Sequence, residues 1–160
     1  MDDYRENITA DIDTTKKKII IGVLSGFIIA VCFFFCVCPI NVHGMSMNPT
    51  YKDGDIIHGR RIFITPAYED VVVFRFQGIS AIKRVIGLPY DEIKIKDGVV
   101  FRNNEKLSEP YATGKTLGDM SISLKEDEYF VMGDNREHSS DSRLFGPIKR
   151  DNINIIVWTL

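Results

Sequence analysis

Three segments of this 160-residue chain hold side chains that could do chemistry together. The first runs Gly44-Met45-Ser46-Met47-Asn48-Pro49-Thr50. It sets a serine between two exposed-looking methionines and is pinned by Gly44 and Pro49, and Pro49 also biases Asn48 towards extended backbone. A lone serine here is most often a turn former; beside a base it becomes a nucleophile. The second segment, Ala81-Ile82-Lys83-Arg84-Val85-Ile86-Gly87-Leu88-Pro89, places a lysine in an otherwise apolar run. An isolated strand lysine commonly points to solvent, but a run this apolar fits a strand covered on both faces. Burial disfavours the ammonium and lowers its pKa, which makes Lys83 a candidate general base. The third segment, Met132-Gly133-Asp134-Asn135-Arg136-Glu137-His138-Ser139-Ser140-Asp141-Ser142-Arg143, is rich in turn formers. It could equally supply a polar cluster that orients a base, with Ser139 giving a hydroxyl and Asp141 and Arg143 an ion pair.

Ser46 with Lys83 is one nucleophile–base pairing, and Ser46 with His138 and an aspartate is another that counting residues leaves open. Metal chemistry finds no support: there is no HExxH, and His43, His58 and His138 lack metal-ligand spacing. No cofactor is required. With 20 basic against 22 acidic residues and a net charge of −2, the chain lacks the basic excess of a phosphate-tracking protein, so no nucleic-acid partner is expected.

The elements that must position these segments fall into two parts. Of the 22 residues Ile19 to Ile40, 18 are hydrophobic, and Ile19 to Cys38 carries no charge. Twenty helical residues cover about 30 Å, the thickness of a bilayer's hydrocarbon core. The run is longer than the apolar region of a cleavable signal peptide and does not end at small residues, so a retained anchor over 19–40 is expected. Lys16, Lys17 and Lys18 flank one end only, which predicts residues 1–18 as a cytoplasmic tail and 41–160 as an extracytoplasmic domain. Cys32, Cys36 and Cys38 all lie in the apolar run and read as small hydrophobes, leaving the outer domain without a disulfide or cysteine metal site.

After Pro39 the pattern shifts to short β runs and turns. Strands are predicted at Asp55–Ile62, Val71–Phe76, Ile79–Ile86, Glu92–Lys96, Val99–Arg102, Tyr129–Met132 and Ile153–Thr159. Asp97-Gly98 predicts a hairpin turn and Asn103-Asn104 a second turn. Residues 108–124 read as a polar loop or extension. The fold class is mainly β, behind a single N-terminal transmembrane helix.

Together the three segments, in this order behind one anchor, resemble the type I signal peptidases, membrane-anchored Ser–Lys proteases that remove signal peptides from exported proteins. The likeness spans nearly the whole chain, and the single anchor and short central extension look like the small Gram-positive members. It implies a signal-peptidase-type β catalytic domain with an apolar surface resting on the membrane. It implies Ser46 as nucleophile, Lys83 as general base, Ser139 as the hydroxyl near the lysine, and Asp141 with Arg143 as support; Arg84 and Asp134 belong to the same motifs. Preproteins carrying signal peptides and the lipid bilayer are the implied partners, with the secretion machinery as a further candidate. Gly44 stands where Gram-negative relatives carry an oxyanion-hole serine, so backbone N–H groups, that of Ser46 first, must carry more of that role. Tyr90 stands where a glycine is usual after the lysine strand, which adds strain if the position needs φ > 0. Two rivals stand beside this reading. Self-cleaving repressors share the Ser–Lys chemistry but carry a DNA-binding domain where this chain has its apolar run. A dedicated pilin-assembly factor or chaperone-like relative acting on few precursors would be expected to lack the serine or the lysine.

Overall fold

The computed structural model describes residues 15–27, 37–61 and 65–158, which divide into two compact units at Val37 and Cys38. In the first unit residues 15–27 are helical, with Ile19, Ile20, Ile21, Val23, Leu24 and Phe27 all exposed. No helix among the described residues is long and apolar enough to cross a membrane. The expected span continues through 28–36, and these residues, like residues 1–14 of the expected tail 1–18, lie outside the described set. Its last four residues, expected as helix, are strand: β1 covers Val37–Asn41. Pro39 explains the change, because it removes a helix N–H and biases Cys38 towards extended backbone. β1 is an edge strand, where the missing N–H is tolerated.

The second unit is built from two sheets. Strands β2 (Ile56–Arg61), β3 (Val71–Phe76), β4 (Ile79–Gly87), β9 (Glu128–Met132), β10 (Ile148–Lys149) and β11 (Ile153–Val157) join β1 in a seven-stranded sheet ordered β1-β2-β11-β3-β4-β9-β10. Strands β5 (Glu92–Lys96), β6 (Val99–Arg102), β7 (Glu105–Lys106) and β8 (Met120–Ser123) form a second sheet ordered β7-β6-β5-β8. β8 lies inside the stretch expected as loop; its Met-Ser-Ile-Ser alternates weakly and becomes a strand by pairing with β5, Ile122 opposite Ile93. Among the described residues after 45, α-helix is confined to the single turn Ser142–Phe145.

The central strands read as continuous apolar runs because both their faces are covered. Along β9, Tyr129 and Val131 enter one core cluster with Val72, Phe74 and Val85, while Phe130 and Met132 enter another with Ile86, Ile93 and Ile95. Side chains alternate across a strand, so Lys83 shares a face with Val85, and Arg84 shares the opposite face with Ile86. The two neighbours therefore serve different sides of the sheet.

The turns follow their chemistry. Asp97 and Gly98 have φ of 50° and 78°, and Asn103 and Asn104 have 52° and 65°, giving two tight hairpins in which Lys96 pairs with Val99 and Arg102 with Glu105. Both-positive φ is the primed turn that matches strand twist. After β4, the Asp91 N–H donates to the Leu88 carbonyl at 3.0 Å, and Tyr90 takes φ 70°. This is a turn with positive φ at its third residue, the position that favours glycine. Tyr90 is 73% exposed, so its ring offsets little of that strain. Tyr90→Gly should raise stability by about 1 kcal/mol, the order of the left-handed penalty. Denaturant unfolding of the two proteins checks it, and an unchanged or lower midpoint would show that the turn is not strained.

Candidate active site

Ser46 sits in a turn held by its own backbone and by its neighbours. The Asn48 N–H donates to the Met45 carbonyl at 3.1 Å, and the Tyr51 N–H to the Met47 carbonyl at 2.9 Å. The two methionines are not alike: Met45 is 58% exposed, whereas Met47 is buried with Val71 and Val157. Met47 thus anchors the turn to the core and leaves Ser46 on the outer side. Gly44 has φ +85°, which a side chain would strain, and its N–H donates to Asp53 Oδ1 at 2.7 Å.

Lys83 reaches the serine from β4. Its Nζ lies 2.7 Å from Ser46 Oγ and 2.9 Å from the Ile82 carbonyl oxygen, and the residue is 5% exposed. Burial pushes the amine below the usual lysine range; Asp141 and Asp134 pull the other way and do not overcome it. The base within hydrogen-bond reach of Ser46 Oγ is therefore Lys83. His138 is exposed on the rim of the same groove and makes no side-chain hydrogen bond to Ser46 among the described residues.

The remaining sequence-selected residues are frame. Arg84 projects to the other face and grips Asp134 with two parallel bonds, Nε to Oδ1 at 2.9 Å and Nη2 to Oδ2 at 2.7 Å, both partners buried. Thr50 Oγ1 donates to the same carboxylate at 2.5 Å, which ties the serine segment to this pair. Asp141 accepts from Arg143 Nε at 2.8 Å, from Arg143 Nη2 at 2.9 Å and from the Gly133 N–H at 3.0 Å. Burial alone would raise its pKa, but these bonds, Arg143 foremost, hold it below the usual carboxylate range. Ser139 packs against Gly133. A Cβ on Gly133 would lie 2.5 Å from the Ser139 Cβ and 2.6 Å from the Ser46 carbonyl oxygen, so only glycine admits both neighbours. The Ser139 hydroxyl is buried beside the Asp141 carboxylate, which it helps to hold ionised, and it makes no bond to Lys83.

Sequence reasoning missed three contributors. Asn135 donates its N–H to the Ser46 carbonyl at 3.0 Å and its Nδ2 to the Met45 carbonyl at 3.2 Å. Thr50 ties the serine turn to Asp134, and Arg136 forms a buried pair with Glu109 at 2.6 Å. Motif membership was the available signal for all three; their partners lie 27 to 90 residues away in the chain.

Two cavities flank the Ser46–Lys83 pair. One of about 500 Å³ is lined by Phe74, Phe76, Ile79 and Phe145 with His43 and His138 at its edge. The other, about 220 Å³, is lined by Ile40, Val42, Met47, Val73 and Ile82. Both reach the serine, so an extended chain of apolar character could lie across it. No group of side chains that could hold a metal ion occurs among the described residues.

This fold and this order of segments have known relatives. The chain is 37% identical to signal peptidase I V of Bacillus subtilis (strain 168), over 70% of this chain and 78% of that one. It is 33% identical to signal peptidase IB of Staphylococcus aureus (strain COL), over 86% of each. The crystal structure of a signal peptidase I from Enterococcus faecalis V583 matches it with a TM-score of 0.53 at 28% identity, covering 58% of this chain and 97% of that one. Residues 15–157 match the family model for signal peptidase, peptidase S26, and the chain belongs to that family.

Proposed function

We propose that this chain is a membrane-anchored signal peptidase I, a serine endopeptidase that removes N-terminal signal peptides from exported preproteins, with Ser46 as nucleophile and Lys83 as general base. The reading rests above all on the 2.7 Å contact between Lys83 Nζ and Ser46 Oγ at a buried amine. A serine hydroxyl attacks only when its proton has somewhere to go. Neutral Lys83 takes that proton along the existing hydrogen bond, and Ser46 Oγ bonds to the scissile carbonyl carbon. The resulting oxyanion needs donors already in place. The Ser46 N–H, which donates to no group among the described residues, is the first candidate, since the Gly44 N–H is held by Asp53. The ammonium of Lys83 then returns the proton to the leaving amine. Water, deprotonated by the same lysine, hydrolyses the acyl-enzyme.

Arg84, Asp134, Asp141 and Arg143 are read as structural support. Ser139 is read as the hydroxyl beside the lysine: a hydroxyl has one donor and two acceptor sites, which leaves capacity for a hydrogen bond with the amine. The residue-19 to residue-40 run, continuous and uncharged in the sequence, is read as the anchor, with the lysine flank inside and the domain outside. Exposed Met45 and Ile79 beside the groove suit a surface resting on lipid. A pilin-dedicated or chaperone-like role is not favoured, because both members of the pair are present and in contact.

The pH dependence follows from the lowered amine. Lys83 acts when neutral, so kcat/KM should rise as pH increases through its depressed pKa, below the value of about 10.4 at which a free lysine titrates. Lys83→Met should lower kcat by at least about a hundredfold, and Lys83→Arg should be equally poor because a guanidinium stays charged. Cleavage of a secretory precursor by detergent-solubilised protein, with the new N-terminus sequenced, checks both. Folded Lys83→Met working at the wild-type rate would return His138 to candidacy.

Substrate choice should favour small residues at the first and third positions before the cut, the Ala-x-Ala preference of the family. The walls beside Ser46 include Ile40, Val42, Met47, Val73 and Ile82, an apolar lining that suits small aliphatic side chains. A bulky residue at the first position should cost far more in kcat/KM than the same residue at the second; equal tolerance at both would sink the idea. For topology, protease added to intact spheroplasts should digest residues 41–160, and protection of that domain would reverse the orientation.

A further inference from the structure

The segment between β7 and β8 reads as a connecting loop, yet four of its residues, Glu109, Tyr111, Thr113 and Thr116, between them touch all three site segments. Glu109 holds Arg136 with both carboxylate oxygens, at 2.6 Å to Nη2 and 3.0 Å to Nη1, and Thr116 Oγ1 accepts from the same Nη1 at 3.0 Å. The pair is nearly dry, with the Arg136 side chain 2% exposed. Arg136 directs its Nε to the Gly133 carbonyl at 3.1 Å, and Gly133 is the residue pressed against the Ser46 carbonyl. Tyr111 lies against Arg84, with the guanidinium carbon 4.2 Å from the ring centroid. Thr113 joins the same set through its backbone. Its N–H donates to the Asp134 carbonyl at 2.8 Å, its carbonyl accepts from the Arg136 N–H at 2.9 Å, and its Oγ1 donates to the Asn48 carbonyl at 3.3 Å.

The contact between Ser46 and Lys83 joins segments 37 residues apart in sequence, with no covalent tie to keep their spacing. Displacements of the order of 1 Å from a reactive geometry can cost about a hundredfold in rate. A stacked ring restrains what the in-plane bonds to Asp134 leave free, namely swinging of Arg84 out of its plane. Glu109 does the same for the loop, because Arg136 without its carboxylate would be a buried, uncompensated charge.

We propose that Glu109 and Tyr111 are positioning residues for the Ser46–Lys83 reaction, holding the lysine strand and the Gly133–Arg136 loop in register with the serine turn. This rests on the reading of Ser46 and Lys83 as the reacting pair. The part of Tyr111 that meets Arg84 is the ring face, so the effect is assigned to the ring and not to the hydroxyl.

The test uses the full chain in detergent, with precursor cleavage followed as kcat, KM and a pH profile, and thermal unfolding measured alongside. Tyr111→Leu and Glu109→Gln should lower kcat by about ten- to a hundredfold with KM little changed, and should move the pH at which kcat/KM rises. Tyr111→Phe should recover most of the activity lost in Tyr111→Leu. A folded Tyr111→Leu with wild-type kcat and pH profile overturns the inference, as does a Tyr111→Phe no better than Tyr111→Leu. If Tyr111→Leu does not fold, Glu109→Gln decides by the same kcat and pH criteria. Lys83→Met serves as the control. If it still cleaves, the reading of the reacting pair fails; if it is inert while the positioning variants are fully active, the positioning alone fails.

Discussion

An amine buried in the middle of a sheet is the constraint on which the rest of this structure depends. Lys83 stands on a strand covered on both faces, next to Arg84, Val85 and Ile86, all buried. Each unit by which its pKa falls represents about 1.4 kcal/mol against the charged form. The fold carries that penalty because the neutral amine can accept a proton and the charged one cannot. Every neighbouring charge must then be arranged so as not to return the lysine to its ammonium form.

The carboxylates near it show how this is done. Asp134 and Asp141 both draw Lys83 towards protonation, yet each faces an arginine with two well-formed bonds. Arg84 and Arg143 neutralise those carboxylates at close range, so burial of the lysine prevails. Arginine suits the task better than lysine, since its charge persists and its planar fork holds a carboxylate in one orientation. Breaking one member of such a buried pair costs about 3–5 kcal/mol, so these pairs keep the site in one shape. Arg136 with Glu109 is a third pair of the same kind, its carboxylate supplied by a segment outside the sequence motifs.

The serine turn is specified by packing more than by its own polar atoms. Met47 is sunk in the core, Gly44 supplies positive φ, and Asn135 holds the Met45 and Ser46 carbonyls. Gly133 lets the third segment approach without a Cβ. Cavities on two sides leave Ser46 approachable while Lys83 stays only 5% exposed.

Much of this was legible before the fold was known. Alternation and turn chemistry located Val71–Phe76, Glu92–Lys96 and Val99–Arg102 with their observed boundaries, because backbone preferences at Asp97-Gly98 and Asn103-Asn104 act locally. The apolar setting of Lys83 announced burial, and the order of the three motifs announced the family. Other features were illegible for one shared reason. β8 exists only because β5 lies beside it, and Met47 differs from Met45 only by the side of the turn that meets the core. Glu109, Tyr111 and Thr50 look like ordinary loop residues until distant arginines and carboxylates are brought to them. Local sequence determined the strands, the turns and the chemical types at the site. Tertiary structure alone decided which charge meets which and that Lys83, not His138, meets Ser46, because desolvation and hydrogen-bond distance are properties of assembled neighbours and not of chain order.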